Sequence, residues 1–183
     1  MKPRTLRTLA CLFVCALTGC EPPLNDAEML QNFNEHRQEF EALRAMITHD
    51  KGLSRVDDQT TSPADPSTIG ITPARIAEYR SLLQKLGIRH GLYVSAGKGF
   101  LRIELHANVI GGYVRYSTKS YAWLSEDPSP WPVVPDIDAF VQKQSEEREK
   151  ANRDLRDHKP TSWQQEHFAY RHIDGHWYLY YEN

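Results

Sequence analysis

The sequence predicts an α+β fold: two N-terminal helices packed on an antiparallel sheet of about five strands, with a charged third helix before a C-terminal hairpin. Three observations point there. In the first half of the chain apolar residues recur at spacings of three and four, the period of one helix face. From Ile88 the period is two, the mark of half-buried strands, and two glycine-containing turns divide these runs into hairpins. Polar, proline-bearing stretches at 57–70 and 125–136 separate the regions as loops. Of the 183 residues, 164 follow position 19, a single-domain length that buries roughly 70 % of its unfolded surface.

The first nineteen residues lie outside that domain. Lys2, Arg4 and Arg7 precede an uncharged, largely apolar run from Leu9 to Gly19. A positive head followed by such a run reads as a secretory signal peptide. It is too short to span a bilayer, which takes about 20 apolar residues. The run ends in "LTGC" (Leu17 to Cys20), which resembles the lipobox of bacterial lipoproteins. That resemblance implies that 1–19 is removed and that Cys20 is acylated, becoming the mature N-terminus. It places the protein at a membrane, held by its lipid and facing the periplasm of the cell envelope. Several acyl chains anchor stably where one holds only marginally. Cys11 and Cys15 fall in the removed segment, so the mature domain carries neither a disulfide nor a free thiol. Loss of the three N-terminal cations takes the net charge from −2 to −5, which speaks against a nucleic-acid partner. Residues 20–25 form a short tether of at most about 18 Å, stiffened by Pro22 and Pro23. The domain occupies 26–183, and it too resembles small bacterial lipoproteins, with no motif that names a family.

Asn25 and Asp26 are candidate N-caps for a helix with Met29, Phe33, His36, Phe40, Leu43 and Ile47 on one face. Leu30 and Met46 widen that stripe and Gly52 stops it. His36 reads as a core-edge histidine hydrogen-bonded to a neighbour. A second helix runs through "TPARIAEYRSLLQKLG", with Thr72 as N-cap, Pro73 in the first turn and Gly87 after the last. Ile76, Tyr79, Leu82, Leu83 and Leu86 share its buried face.

A strand is expected from Ile88 to Ser95, then a hairpin turning at Gly111-Gly112. Pairing about that turn sets Val109 opposite Val114, Ile103 opposite Ser120 and Leu101 opposite Ala122 on one face. The other face then holds Glu104 with Lys119, Arg102 with Tyr121 and Phe100 with Trp123. Trp131, between two prolines, reads as a loop aromatic pinned onto the core. The stretch from Ile137 to Lys159 reads as a solvated helix attached by Ile137, Phe140 and Val141 in its first turn, with Glu146–Lys150 and Glu149–Arg153 spaced for ion pairs. The chain closes in a hairpin turning at Asp174-Gly175. In that register Phe168, Tyr170, His172, Trp177, Leu179 and Tyr181 share a core face, and His167, Ala169, Arg171, Ile173, His176, Tyr178, Tyr180 and Glu182 share the other.

Chemical motifs are sparse. His167, His172 and His176 invite a metal, but the register places His172 and His176 on opposite faces. Neither HExxH nor a cysteine pair is present, so no metal site is expected. No cofactor motif stands out; "GKG" (97–99) reads as a strand connection. With no GxSxG elbow and no mature thiol, no catalytic residue is nominated. His106 and Glu104, beside Arg102, Arg115 and Lys119, read as a solvated sheet face. The distinctive feature is aromatic weight near the C-terminus. Arg171, Tyr178 and Tyr180, with Tyr121 and Trp123 on the adjacent hairpin, are the nominated binding residues, since amphipathic rings suit recognition. The expected role is a non-enzymatic interaction module holding another envelope protein near the membrane. One alternative is a small-ligand pocket, loosely similar in architecture to nuclear-transport-factor-2-like folds; a cavity lined by Tyr116, Tyr170 and His172 would mark it, and a sheet packed solid against its helices would remove it. Another is a periplasmic immunity-type lipoprotein.

Overall fold

Asn25 caps the first helix as the sequence predicts: its side chain accepts the Glu28 N–H, and the Glu28 carboxylate accepts the Asn25 N–H. The computed structural model describes residues 24–97, 99–112, 115–154 and 168–183, without the side chains of 108–112, 115, 116, 148 and 151–154. The single long helix expected after Asn25 is in fact two, α1 (Asp26–Glu35) and α2 (Arg37–His49), broken at His36. Seven residues of unbroken helix rise about 10 Å. The break accompanies a closer approach: the rings of Phe33 and Phe40 lie 5.0 Å apart. Both pack on Trp177, each at 5.6 Å, and Phe40 reaches Tyr121 at 4.6 Å. Met29, Phe33, Phe40, Leu43 and Ile47 are buried as the stripe predicts, and His36 stands half-buried at the junction.

The expected loop at 57–70 contains structure. β1 (Arg55–Val56) and β2 (Thr61–Ser62) flank a tight turn, and a 3-10 helix follows at Pro66–Ile69. The turn closes on Asp57, whose carboxylate accepts the N–H groups of Gln59 and Thr60 and the Thr60 hydroxyl. Two-residue strands leave no alternation for a sequence to show. α3 (Pro73–Lys85) then forms as predicted, with Thr72 accepting the Arg75 N–H and Gly87 at φ 68° past its end.

β3 (Leu92–Ala96), β4 (Leu101–Gly112), β5 (Arg115–Leu124), β6 (Phe168–Asp174) and β7 (Trp177–Glu182) complete one antiparallel sheet of seven strands, in the order β2-β1-β3-β4-β5-β7-β6. The expected registers are displaced. β4 runs through both glycines, so Gly112 pairs with Arg115 and Gly111 with Tyr116. A bulge at Ala107 then moves the pairing by one, setting Leu105 opposite Tyr121 and Ile103 opposite Trp123. The final turn is Gly175-His176 rather than Asp174-Gly175, with a second bulge between His172 and Asp174. The core grouping expected for this hairpin therefore mixed two faces. Trp177, Leu179 and Tyr181 face the helices, while Tyr170, Tyr178 and Tyr180 face away.

The helices α1 to α3 cover the inner face, closing a core around Phe33, Phe40, Leu43, Tyr79, Leu105, Tyr121 and Leu179. On the outer face Ala122, Leu124, Tyr170, Tyr178 and Tyr180 make a smaller cluster with Phe100 and Phe168. α4 (Ile137–Asp154) attaches, as expected, by buried Ile137 and part-buried Phe140 and Val141. Its outward side carries Gln142–Glu146 and Lys143–Glu147 pairs. The two outermost strands, β2 and β6, are obstructed as edges, whereas β4 beyond His106 and β5 before Thr118 pair only with each other among the described residues. β2 is two residues long and Pro63 follows it, whereas β6 is bridged by Pro132 to Val134, with the Tyr170 N–H on Pro132 O and the Val134 N–H on Tyr170 O. No described helix is long and apolar enough to cross a membrane.

Candidate functional site

Four elements meet at the N-terminus of α1. Asp26, fixed there by the Asn25 cap, is 2 % exposed. Its carboxylate accepts the Ile137 N–H at 2.8 Å and the Arg171 guanidinium at 2.7 Å. Its other oxygen lies 2.5 Å from the Lys119 ammonium, an ion contact rather than an aligned hydrogen bond. Lys119 also donates to Asp138 at 2.5 Å, and Asp138 in turn accepts the Asp26 N–H. Arg171 stands 3.6 Å from Asp136. Burial alone would raise the Asp26 pKa; the bonds from Lys119, Arg171 and Ile137 more than reverse this and hold it below the ordinary value.

The carboxylates of Asp26, Asp136 and Asp138 converge within 4.8 Å, the spacing of a cation site. Lys119 and Arg171 offset two of these three charges and occupy oxygens that a metal would need. The cluster is an ionic junction between α1, α4, β5 and β6. Arg171, nominated as a binding residue, belongs to it and is engaged there.

The outer sheet face holds the remaining polar chemistry. Glu104 is gripped by Arg102 at 2.5 Å and by His106 Nε2 at 2.9 Å. Arg102 lies over the Tyr180 ring at 5.4 Å, and Tyr93 stacks on His106 at 4.5 Å. Burial works against the Arg102 charge, but Glu104, Tyr170 and Tyr180 together outweigh it and its pKa stays raised. Burial pushes up the hydroxyls of Tyr170, Tyr178 and Tyr180; Tyr180 donates to Glu182 at 2.8 Å. Ser120 pairs across the ladder with His106, so hydroxyl, imidazole and carboxylate share one face. Ser120 is fully enclosed, and its hydroxyl meets no partner among the described residues. A nucleophile so placed has no access to a substrate. The face expected to be solvated is therefore largely buried at Glu104, Thr118 and Ser120, and Lys119 lies on the opposite one.

The nominated aromatics are not an open platform. Tyr121 is fully buried in the inner core, where it donates to Met29 O at 3.0 Å and burial pushes its hydroxyl up to about 12. The displaced register explains this: the bulge at Ala107 turns Tyr121 inward. Trp123 is half-buried between the Arg44 guanidinium at 5.5 Å and the His176 ring at 5.6 Å. Tyr178 and Tyr180 are buried on the outer face. His172 and His176 lie apart, with His172 on Gly175 O, and His167 lies outside the described residues. Tyr170 and His172 point away from the helices, and the Tyr116 side chain is outside the described residues. Rings fill the layer between helices and sheet where an enclosed ligand would sit.

A groove unanticipated from sequence lies at the other end of the sheet. It measures about 580 Å³ and runs between the C-terminal turn of α3 and the loops after β1 and before β3. Leu83 and Ile88 floor it, with Arg80, Arg89, Asp57 and Asp58 around it. Arg80 donates to Asp57 O at 2.9 Å. Cys20 and the rest of "LTGC", read from sequence as resembling a lipobox, lie outside the described residues, as does Trp163. No known protein family, curated protein or solved structure matches the chain.

Proposed function

We propose that the protein is a lipid-anchored envelope protein that works as a non-enzymatic interaction module held close to the membrane. The observation carrying this reading is how few residues separate Cys20 from the first packed residue of the domain. Leu24 packs against the core and Asp26 is locked into the ionic junction. Only Glu21, Pro22 and Pro23 stand in the sequence between Cys20 and the packed Leu24, fewer than the six residues read from sequence as a tether. Four residue steps from Cys20 to Leu24 span at most about 14 Å. A domain so restrained meets neighbours at the membrane surface and samples little of the aqueous space beyond. The test is mass spectrometry of the mature N-terminus together with quantitative co-purification from detergent-solubilised envelopes. The reading expects an acylated Cys20 and a stoichiometric protein partner. An unacylated chain beginning elsewhere overturns the anchor, and absence of any partner overturns the module.

The groove beside Arg80 favours a second reading, a small-ligand site. Its size lies within the range of small-molecule pockets, and it combines an apolar floor with a few charged groups at the rim. It lies away from the layer in which the sequence placed a pocket. Chemical-shift changes confined to Leu83, Ile88 and Gly91 on titrating a metabolite extract would support it, and their absence would remove it.

A further inference from the structure

We infer that the loop from Pro128 to Pro135 seats directly against the bilayer, with Trp131 and Val133 entering the interfacial region of a zwitterionic lipid surface. The inference rests on the anchored reading above and goes further, by giving the domain an orientation. Pro128 to Pro135, "PSPWPVVP", is uncharged over eight residues and bounded by Asp127 and Asp136. Trp131 is 46 % exposed and Val133 53 %, two of the three large apolar side chains that the described residues leave open. They stand two positions apart, on either side of Pro132. Trp131 rests on the Phe168 ring at 4.7 Å, and the backbone on either side of Val133 is bridged to β6.

The backbone of this loop is suited to low dielectric. Four of its eight residues are prolines, without an N–H to desolvate. Of the other four, Ser129 donates to Asp127 O, Trp131 to Pro128 O and Val134 to Tyr170 O. Unmet backbone donors are the main cost of taking irregular chain out of water, and here that cost is largely removed in advance. A tryptophan is the side chain best adapted to the headgroup boundary. The prolines also hold the loop in shape, so little ordering is lost on contact.

Position supplies the occupant. Val134 packs on the same core as Leu24, and the peptide of Ile137 bonds directly to Asp26, two residues past Leu24. Tyr170, which carries the loop, adjoins Arg171, which grips Asp26. The first described residues therefore lie beside the end of the loop, and four residue steps from Leu24 to Cys20 span at most about 14 Å. Glu126 and Asp127 precede the loop, and the junction of Asp26, Asp136 and Asp138 with Lys119 and Arg171 keeps one net negative charge after it, so neutral headgroups suit it and an excess of anionic lipid repels it.

The acylated full-length protein is reconstituted into phosphatidylcholine vesicles bearing bromine in the acyl chains, and tryptophan emission is compared for the wild type, W131F and V133D. Flotation with the vesicles and the acyl mass report the anchor separately. In floating, acylated protein, quenching that W131F abolishes and V133D reduces supports the inference. Equal quenching, or none, in wild type and W131F overturns it while leaving the anchor intact. Loss of flotation with no acyl mass overturns the anchor itself. A photo-crosslinking residue at 131 that captures a protein in envelopes, rather than lipid, makes the loop a protein contact and also overturns the inference.

Discussion

Lys119 holds two carboxylates, Asp26 and Asp138, with almost no exposure to water. Removing one member of a buried pair leaves the other charge stranded, at a cost of about 3–5 kcal/mol, whereas replacing the whole set costs little. Lys119→Met should therefore lower the unfolding free energy from urea denaturation by that amount, and a Lys119→Met, Asp26→Asn double variant should recover part of it. Asp57 sets a pH dependence. Burial by itself would raise its pKa, but the Thr60 hydroxyl, the Thr60 and Gln59 N–H groups and Arg55 reverse this and bring it from 3.8 to about 2. A folded-state value below the unfolded one stabilises the fold above the unfolded value and ceases to do so as pH falls through the folded one. Stability should decline between about pH 4 and pH 2, and Asp57→Asn should flatten that limb in an acid titration followed by circular dichroism. The caps at Asn25 and Thr72 were legible because they depend on neighbours three residues away. Lys119 was not, because its partner Asp26 is distant in sequence and the inward turn of its strand depends on a bulge.

At the scale of elements, the sequence pattern located every long helix and strand and misjudged how the strands align. A turn read at Gly111-Gly112 and another at Asp174-Gly175 are sound local signals. Tertiary pairing carried both strands past them. Each hairpin also absorbs one extra residue, and a period-two pattern shows no trace of it, since apolar and aromatic residues populate both faces here. That is why Tyr121 and Trp123 were assigned to the exterior. The inner aromatic knot should dominate stability: Phe40→Ala removes a fully buried ring that meets Phe33, Tyr121 and Trp177, and should cost about 3–5 kcal/mol in denaturant unfolding. Two glycines separate steric from conformational need. A Cβ at Gly91 (φ 90°) would stand 2.6 Å from Val56 O, whereas at Gly87 (φ 68°) it would meet nothing within 4 Å. Gly87→Ala should cost about 1 kcal/mol, and Gly91→Ala distinctly more, at the upper end of about 1–3 kcal/mol or beyond, because β1 must move as well.

At the scale of the molecule, the α+β class and the charged helix before the final hairpin were readable from period and composition. The seven-strand count was not, because two of the strands are two residues each. The ionic junction and the Pro128 to Pro135 loop occupy one side, and the Arg80 groove is built from the opposite margin of the sheet, at β1 and α3. Inserting a flexible glycine-serine stretch between Pro23 and Leu24 touches no packed residue. The melting temperature should hold, and vesicle quenching of Trp131 should fall as the restraint is relaxed.

Molecules confined to a surface collide far more often than the same number free in three dimensions, and a long unpaired β-margin under such crowding would template its neighbours into ribbons. Here one border of the sheet is too brief and proline-stopped to recruit a strand, and the other is already occupied by the chain's own Pro132–Val134 segment. Held at a membrane as proposed, the domain offers its neighbours neither of these two outermost strands as a template.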